Sequence, residues 1–116
     1  MHSQKDTPLF VKTHDFIVWL LRHTQRFPKN LRHSYTIRLE QTCFQFEEDI
    51  VMANKLRNQQ RRQRLEYADA RLATLRSLLR YTLDFQLLGS NQYAFAAKSL
   101  EELGRLLGAW LKVTNR

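Results

Sequence analysis

The sequence predicts an all-α protein, an antiparallel up-down-up-down four-helix bundle that fills residues 1–116 as one domain. Three observations predict it. Glycine and proline are scarce, three and two in the whole chain, while Leu, Arg, Gln and Ala, all good helix formers, are frequent. Apolar residues recur three and four apart in four separate segments. The few breakers fall between those segments, where helices must begin or end. At 43% hydrophobic residues the chain is not disordered, and its length suits a single modest core.

The first helix spans roughly residues 8–26. Thr7-Pro8 reads as N-cap and first helical position, Leu9, Phe16, Ile17, Leu20 and Phe27 form the inward stripe, and Pro28 closes the segment because the residue before proline is pushed out of the helical region. After a short connection, "PKNLRHS", the second helix covers roughly 31–57, with Tyr35, Leu39, Cys43, Phe46, Ile50 and Ala53 inward. Between Lys29 and Leu88 there is neither glycine nor proline. One continuous helix there would be about 87 Å long, too long to bury its stripe in a domain of this size. The stripe lapses in the wholly polar run Arg57 to Arg64, so a tight turn is expected near Asn58-Gln59, asparagine being tolerant of the left-handed conformation. The third helix, roughly 61–88, carries Leu65, Ala68, Leu72, Leu75, Leu79 and Thr82 as its seam. Leu88-Gly89 reads as its stop and Ser90 as the next N-cap. The fourth helix, roughly 91–114, turns Tyr93, Ala97, Leu100, Leu103, Leu107, Trp110 and Leu111 inward. No linker, repeat or low-complexity tract interrupts this pattern.

Charge is the strongest compositional departure. A net +8 and a pI near 10.2 impose self-repulsion on the folded chain and make a polyanionic partner such as nucleic acid plausible. Cys43 is the only cysteine, so no intrachain disulfide can form, as suits a reducing cytoplasm. The start "MHSQKDTPLF" lacks the regions of a signal peptide, and the longest apolar run, "FIVWLL", is far short of the ~20 residues that span a bilayer. A cytoplasmic protein without a membrane partner is expected.

Enzymatic constellations are missing from the pattern. His2, His14, His23 and His33 form no HExxH or paired ExxH motif, so neither a metal nor a cofactor is signalled. His14-Asp15 and Glu47-Glu48-Asp49 read as solvated helix positions rather than acid–base pairs, and Cys43 as a small core residue. No catalytic residue is assigned, and the chain is not expected to be an enzyme.

The basic residues instead form two groups. "KLRNQQRRQR" places Lys55, Arg57, Arg61, Arg62 and Arg64 at one helix–helix turn with no acid among them. Arg76 and Arg80, four apart, flank the seam of the third helix. Arg80 can pair with Asp84 or reach a phosphate, which the planar guanidinium holds with two hydrogen bonds. Without a base-reading signature, nucleic-acid contact would be mostly backbone-directed and salt-sensitive. A second apolar strip, Tyr67, Leu78, Tyr81 and Phe85, lies away from the seam of the third helix, and Phe95, Leu106 and Val113 form a similar strip on the fourth. Extra apolar strips of this kind mark interfaces and favour a homo-oligomer. Gly104 and Gly108 allow close helix approach, between subunits or within the bundle.

Two stretches resemble a known family. "LEYADARLATLRSLLRYTLDFQLLGSNQYAFAAKSLEELGRLLGAWLKVTNR" (65–116) is similar to the C-terminal half of Avd-type proteins, through "ADAxLAxLRxxLR" at Ala68 to Arg80, "QYAFAAKSLEELGR" at Gln92 to Arg105 and "GRLLGAW" at Gly104 to Trp110. "FPKNLRHSYTIRLEQ" (27–41) resembles the family's first inter-helix connection. These accessory variability determinants of diversity-generating retroelements are related to four-helix proteins encoded in ribosomal RNA intervening sequences. The resemblance implies a homopentameric barrel of four-helix bundles with a basic surface. It also implies a non-enzymatic role: binding the element's reverse transcriptase and RNA or DNA during mutagenic copying of a template RNA into cDNA. Arg76 and Arg80 match the family's paired arginines, whereas the turn arginines are assigned from charge alone. The alternative is a stand-alone bundle of the intervening-sequence type, RNA-associated or purely structural.

Overall fold

The computed structural model describes residues 7–114. The first six and last two residues, His2 among them, and the side chain of Thr7 lie outside the described residues. Four long helices, α1 (Thr7–Thr24), α2 (Ile37–Lys55), α3 (Asn58–Leu79) and α5 (Ser90–Thr114), pack as a closed ring in which each touches two neighbours, α1 with α2 and α5, and α3 with α2 and α5. No strand occurs among the described residues. The extents, 45 × 25 × 21 Å, are those of an elongated bundle, with one end at the α2–α3 turn and the other at the two remaining connections.

The stripes read from the sequence pack the core. Leu9, Phe16, Ile17, Leu20 and Phe27 are buried against Leu39, Cys43, Phe46, Ile50 and Ala53, and Leu65, Ala68, Leu72, Leu75 and Leu79 complete it with Leu100, Leu103, Leu107 and Trp110. Burial pushes the Cys43 thiol up from 9.0 to about 12, with the neighbouring negative charge of Glu40 adding to the effect.

Three local features differ from expectation. After Pro28 the chain does not enter α2 directly: a 3-10 turn (Lys29–Leu31) and a π turn (Arg32–Thr36) come first. In α5 it is Ala96 that is buried, while the expected Ala97 is exposed. The third helix ends early. α3 stops at Leu79, a single turn α4 (Tyr81–Asp84) follows, and Gln86 adopts φ 53°. The Leu87 N–H donates to Thr82 O at 2.9 Å and the Gln86 N–H to Leu83 O at 3.2 Å, the paired bonds of a Schellman stop. Gly89 is therefore not the stop but the cap of the next helix. Its carbonyl accepts from Tyr93 N–H at 2.9 Å, and its N–H donates to Gln92 Oε1 at 2.9 Å, the returning half of a capping box.

One further bond fixes how this end closes. The Tyr35 hydroxyl donates to Leu78 O at 2.5 Å, tying the π turn to the last turn of α3. Burial raises the Tyr35 phenol well above its ordinary value.

Candidate functional site

The turn that carries the first basic group is tight, as expected: Leu56 and Arg57 are extended, and Asn58 sits at φ 53°. The structure divides its five cations into two kinds. Arg61 Nε donates to Ala53 O at 2.9 Å and Nη2 to Asn54 O at 3.3 Å, while its guanidinium carbon lies 5.9 Å from the centre of the Trp110 ring. Arg61 thus satisfies the last carbonyls of α2, where a positive charge also suits the helix dipole. Arg64 turns inward to Asp49. Lys55 and Arg57 are exposed, Arg62 is half-buried, and none of these three has an ion-pair partner among the described residues.

Asp49 departs most from the sequence reading. Expected to be solvated, it is only 1% exposed. Its Oδ2 accepts a hydrogen bond from Arg71 Nε at 3.0 Å, and its Oδ1 faces Arg64 Nε at 3.1 Å, an ion pair outside hydrogen-bond alignment. Burial pushes the Asp49 carboxyl up, against the pull of Arg71 and Arg64. Glu48 is exposed and Glu47 half-buried. Burying one acid with two arginines is costly unless the geometry repays desolvation; here both guanidinium groups remain partly in water, at 32% and 40% exposure.

Arg76 is exposed on α3 beside the seam, and Arg80 is exposed where α3 gives way to α4. Neither has an ion-pair partner among the described residues, so the pairing of Arg80 with Asp84 does not form. The Arg76 guanidinium rests on Gly104 of α5: a Cβ at that position would collide with Arg76 Nη2. Gly104 is therefore the seat of an arginine within the bundle. Gly108, by contrast, faces open space.

The residues assigned to an oligomer interface, one strip on the third helix and one on the fourth, differ in exposure. Leu78 and Leu106 are partly buried against the protomer's own core. Tyr67, half-exposed, lies between α2 and α3, and Phe95 packs on Trp19 at 5.0 Å. Tyr81 (near Tyr35 at 5.7 Å), Leu83 and Phe85 are all exposed at the α3–α5 connection. Unexpected apolar exposure runs along α2, where Ile37, Phe44 and Val51 recur seven apart with Met52 beside them. Seven residues is close to two helical turns, so these side chains share one outward face.

Among the described residues no three His, Cys, Asp or Glu side chains gather as a metal site, and no helix is long and apolar enough to cross a membrane. The profile of the bAvd-like family matches residues 9–114, nearly the whole of the described bundle. The chain belongs to the bAvd-like family. No curated protein matches it. As a bAvd-like protein it is consistent with an Avd-type accessory protein, and the match takes in both basic groups, the Asp49 cluster and the apolar face of α2.

Proposed function

We propose that this bAvd-like protein is a non-enzymatic, cytoplasmic accessory subunit of a diversity-generating retroelement. It binds the element's reverse transcriptase and nucleic acid during mutagenic reverse transcription. Membership of the bAvd-like family over residues 9–114 is the observation that carries this reading. Charge supports it: with net +8, Lys55, Arg57, Arg62, Arg76 and Arg80 stand outside the ion pairs of the described residues. Such cations are available to phosphates or to acidic side chains of a partner. The exposed Ile37, Phe44, Val51 and Met52 on α2 and the exposed Tyr81, Leu83 and Phe85 supply apolar surface for self-association, and the assembly proposed is a homopentamer.

Co-expression with a candidate reverse transcriptase of the element tests the reading. The wild-type protein should co-purify with it. Arg76→Ala together with Arg80→Ala should lose most of that association, while light scattering of the same preparations still gives a mass about five times the protomer's. Failure of the wild type to co-purify would remove the accessory role, and a monomer mass at micromolar concentration would remove the pentamer.

A further inference from the structure

A third set of basic residues lies along the α2–α3 side of the bundle. Between α2 and α3 runs an open groove of about 700 Å³. Arg38, Gln41 and Gln45 line it from α2, and Arg64, Tyr67 and Arg71 from α3. Buried Leu39, Cys43, Leu65 and Ala68 lie between these positions, so the groove follows the outer edge of the seam. Buried Asp49 pairs with two of its three arginines, Arg64 and Arg71. Arg38 has no ion-pair partner among the described residues, so the lining carries more guanidinium groups than Asp49 can neutralise.

Its chemistry narrows the ligand. Two hydroxyls at the wall are already spent within their own helices, Thr42 on Arg38 O at 2.8 Å and Thr74 on Ala70 O at 3.2 Å. What faces solvent is two glutamine amides and three guanidinium groups. Asp49 engages Arg64 and Arg71 through their Nε atoms, and the terminal Nη groups have no hydrogen-bond partner among the described residues. A free surface arginine gives up rotamer entropy when it grips an anion; an arginine held from behind by a buried carboxylate has already given up much of it. The planar forks then present donors suited to phosphate oxygens. Tyr67, 50% exposed, adds an aromatic ring between Arg64 and Arg71, one helical turn from each.

The geometry points to this α2–α3 groove as a binding site for single-stranded nucleic acid, with backbone phosphates on Arg38, Arg64 and Arg71 and a base stacked on Tyr67. It rests on the nucleic-acid-binding reading above and adds the place, the strandedness and the residues. A small anion would need only the arginines. The open side, the length of the groove and the ring within it suit a chain whose bases are unstacked and available. In a duplex the bases are already stacked on one another and do not reach such a ring. Asp49 is a positioning residue, which orients the arginines without touching the ligand.

Fluorescence anisotropy of the full-length protein with a labelled single-stranded oligonucleotide of about 12 nucleotides provides the test. At low salt the wild type should bind, and Tyr67→Ala should weaken binding by roughly tenfold, the size expected for one lost base stack. Tyr67→Phe should bind as the wild type does. Arg71→Gln should weaken binding and lower the slope of log K against log salt by about 0.7, the value of one single-strand phosphate contact. Lys98→Gln, exposed on α5, should leave affinity unchanged. An unlabelled duplex of the same length should compete less well than the single strand.

Binding by the wild type that is indifferent to both Tyr67→Ala and Arg71→Gln would overturn the groove while leaving the broader reading standing. Sensitivity to Arg71→Gln alone, or equal competition by the duplex, would overturn the single-strand assignment. A wild type that does not bind even at low salt would take down the nucleic-acid reading itself.

Discussion

The α1–α5 face and the α2–α3 face of this bundle share one core but finish it differently. Along α1 and α5 the positions next to the buried stripe carry rings: Trp19 meets Phe16 at 6.0 Å, His23 at 4.1 Å and Phe95 at 5.0 Å, and Phe10 meets Trp110 edge-on at 6.0 Å. Flat side chains of this size fill the cleft between two helices. Along α2 and α3 the equivalent positions carry Asp49, Arg64 and Arg71. Their heads must keep contact with water or with each other, so the cleft stays open and becomes a groove. On the α2–α3 side the step around the helix from the core is ionic where on the α1–α5 side it is largely aromatic, with Lys12–Glu102 at 3.2 Å as the ion pair that bridges α1 and α5 farther out.

The contrast can be broken from the aromatic side first, where the largest effect is expected. Trp110→Ala removes a ring that is 7% exposed and takes with it the contacts to Phe10 and Arg61. Urea denaturation should show a loss of about 3–5 kcal/mol. On the open side Asp49→Ala removes a buried charge, but the two arginines it leaves can reach water, so the loss should be smaller, about 1–2 kcal/mol, below the cost of orphaning a fully buried partner. If the two substitutions cost the same, the distinction between a packed flank and a solvated one does not hold.

These faces were unequally legible in the sequence. Every stripe of α1, α2 and α3 could be read because apolar residues at a period near 3.6 have one way to be buried together. Asn58 could be read as well, since few other residues in that polar run tolerate its φ of 53°. The end of α3 could not: its stop uses backbone bonds around Gln86, and glutamine carries no turn signal. Ala96 and Ala97 are chemically identical, so periodicity alone could not choose between them. Asp49 was hidden by its neighbours, for in Glu47-Glu48-Asp49 composition does not say which acid turns inward. A signal was present nonetheless. Asp49 stands three residues after Phe46 and one before Ile50, at the edge of the stripe, and Arg64 and Arg71 stand seven apart, each one residue before a core leucine.

The smallest effect sharpens the comparison inside the core that both faces share, and it vanishes at neutral pH. The Cys43 thiol is pushed up to about 12 from 9.0 in the folded chain. A folded value above the unfolded one means that the thiol contributes its full stability below about pH 9 and loses it progressively as pH rises toward 12. Tyr35 acts in the same direction from 10.0 upward. Stability should therefore be flat up to about pH 8 and fall by about pH 10, and Cys43→Ala should make that fall shallower. Identical alkaline profiles for the two proteins would show that the thiol is not shielded as the structure places it.

Gly104 gives the bundle an adjustable arm. Because the Arg76 guanidinium rests where a Cβ at position 104 would be, the reach of that arginine is governed from a different helix. With glycine there, the charge lies close against α5. With alanine, the flexible end of Arg76 would swing outward while the backbone stays where it is, and the same cation would project farther from the surface. Position 104 is in this sense a stop on a lever: a residue that touches no partner can still decide how far a positive charge extends toward one.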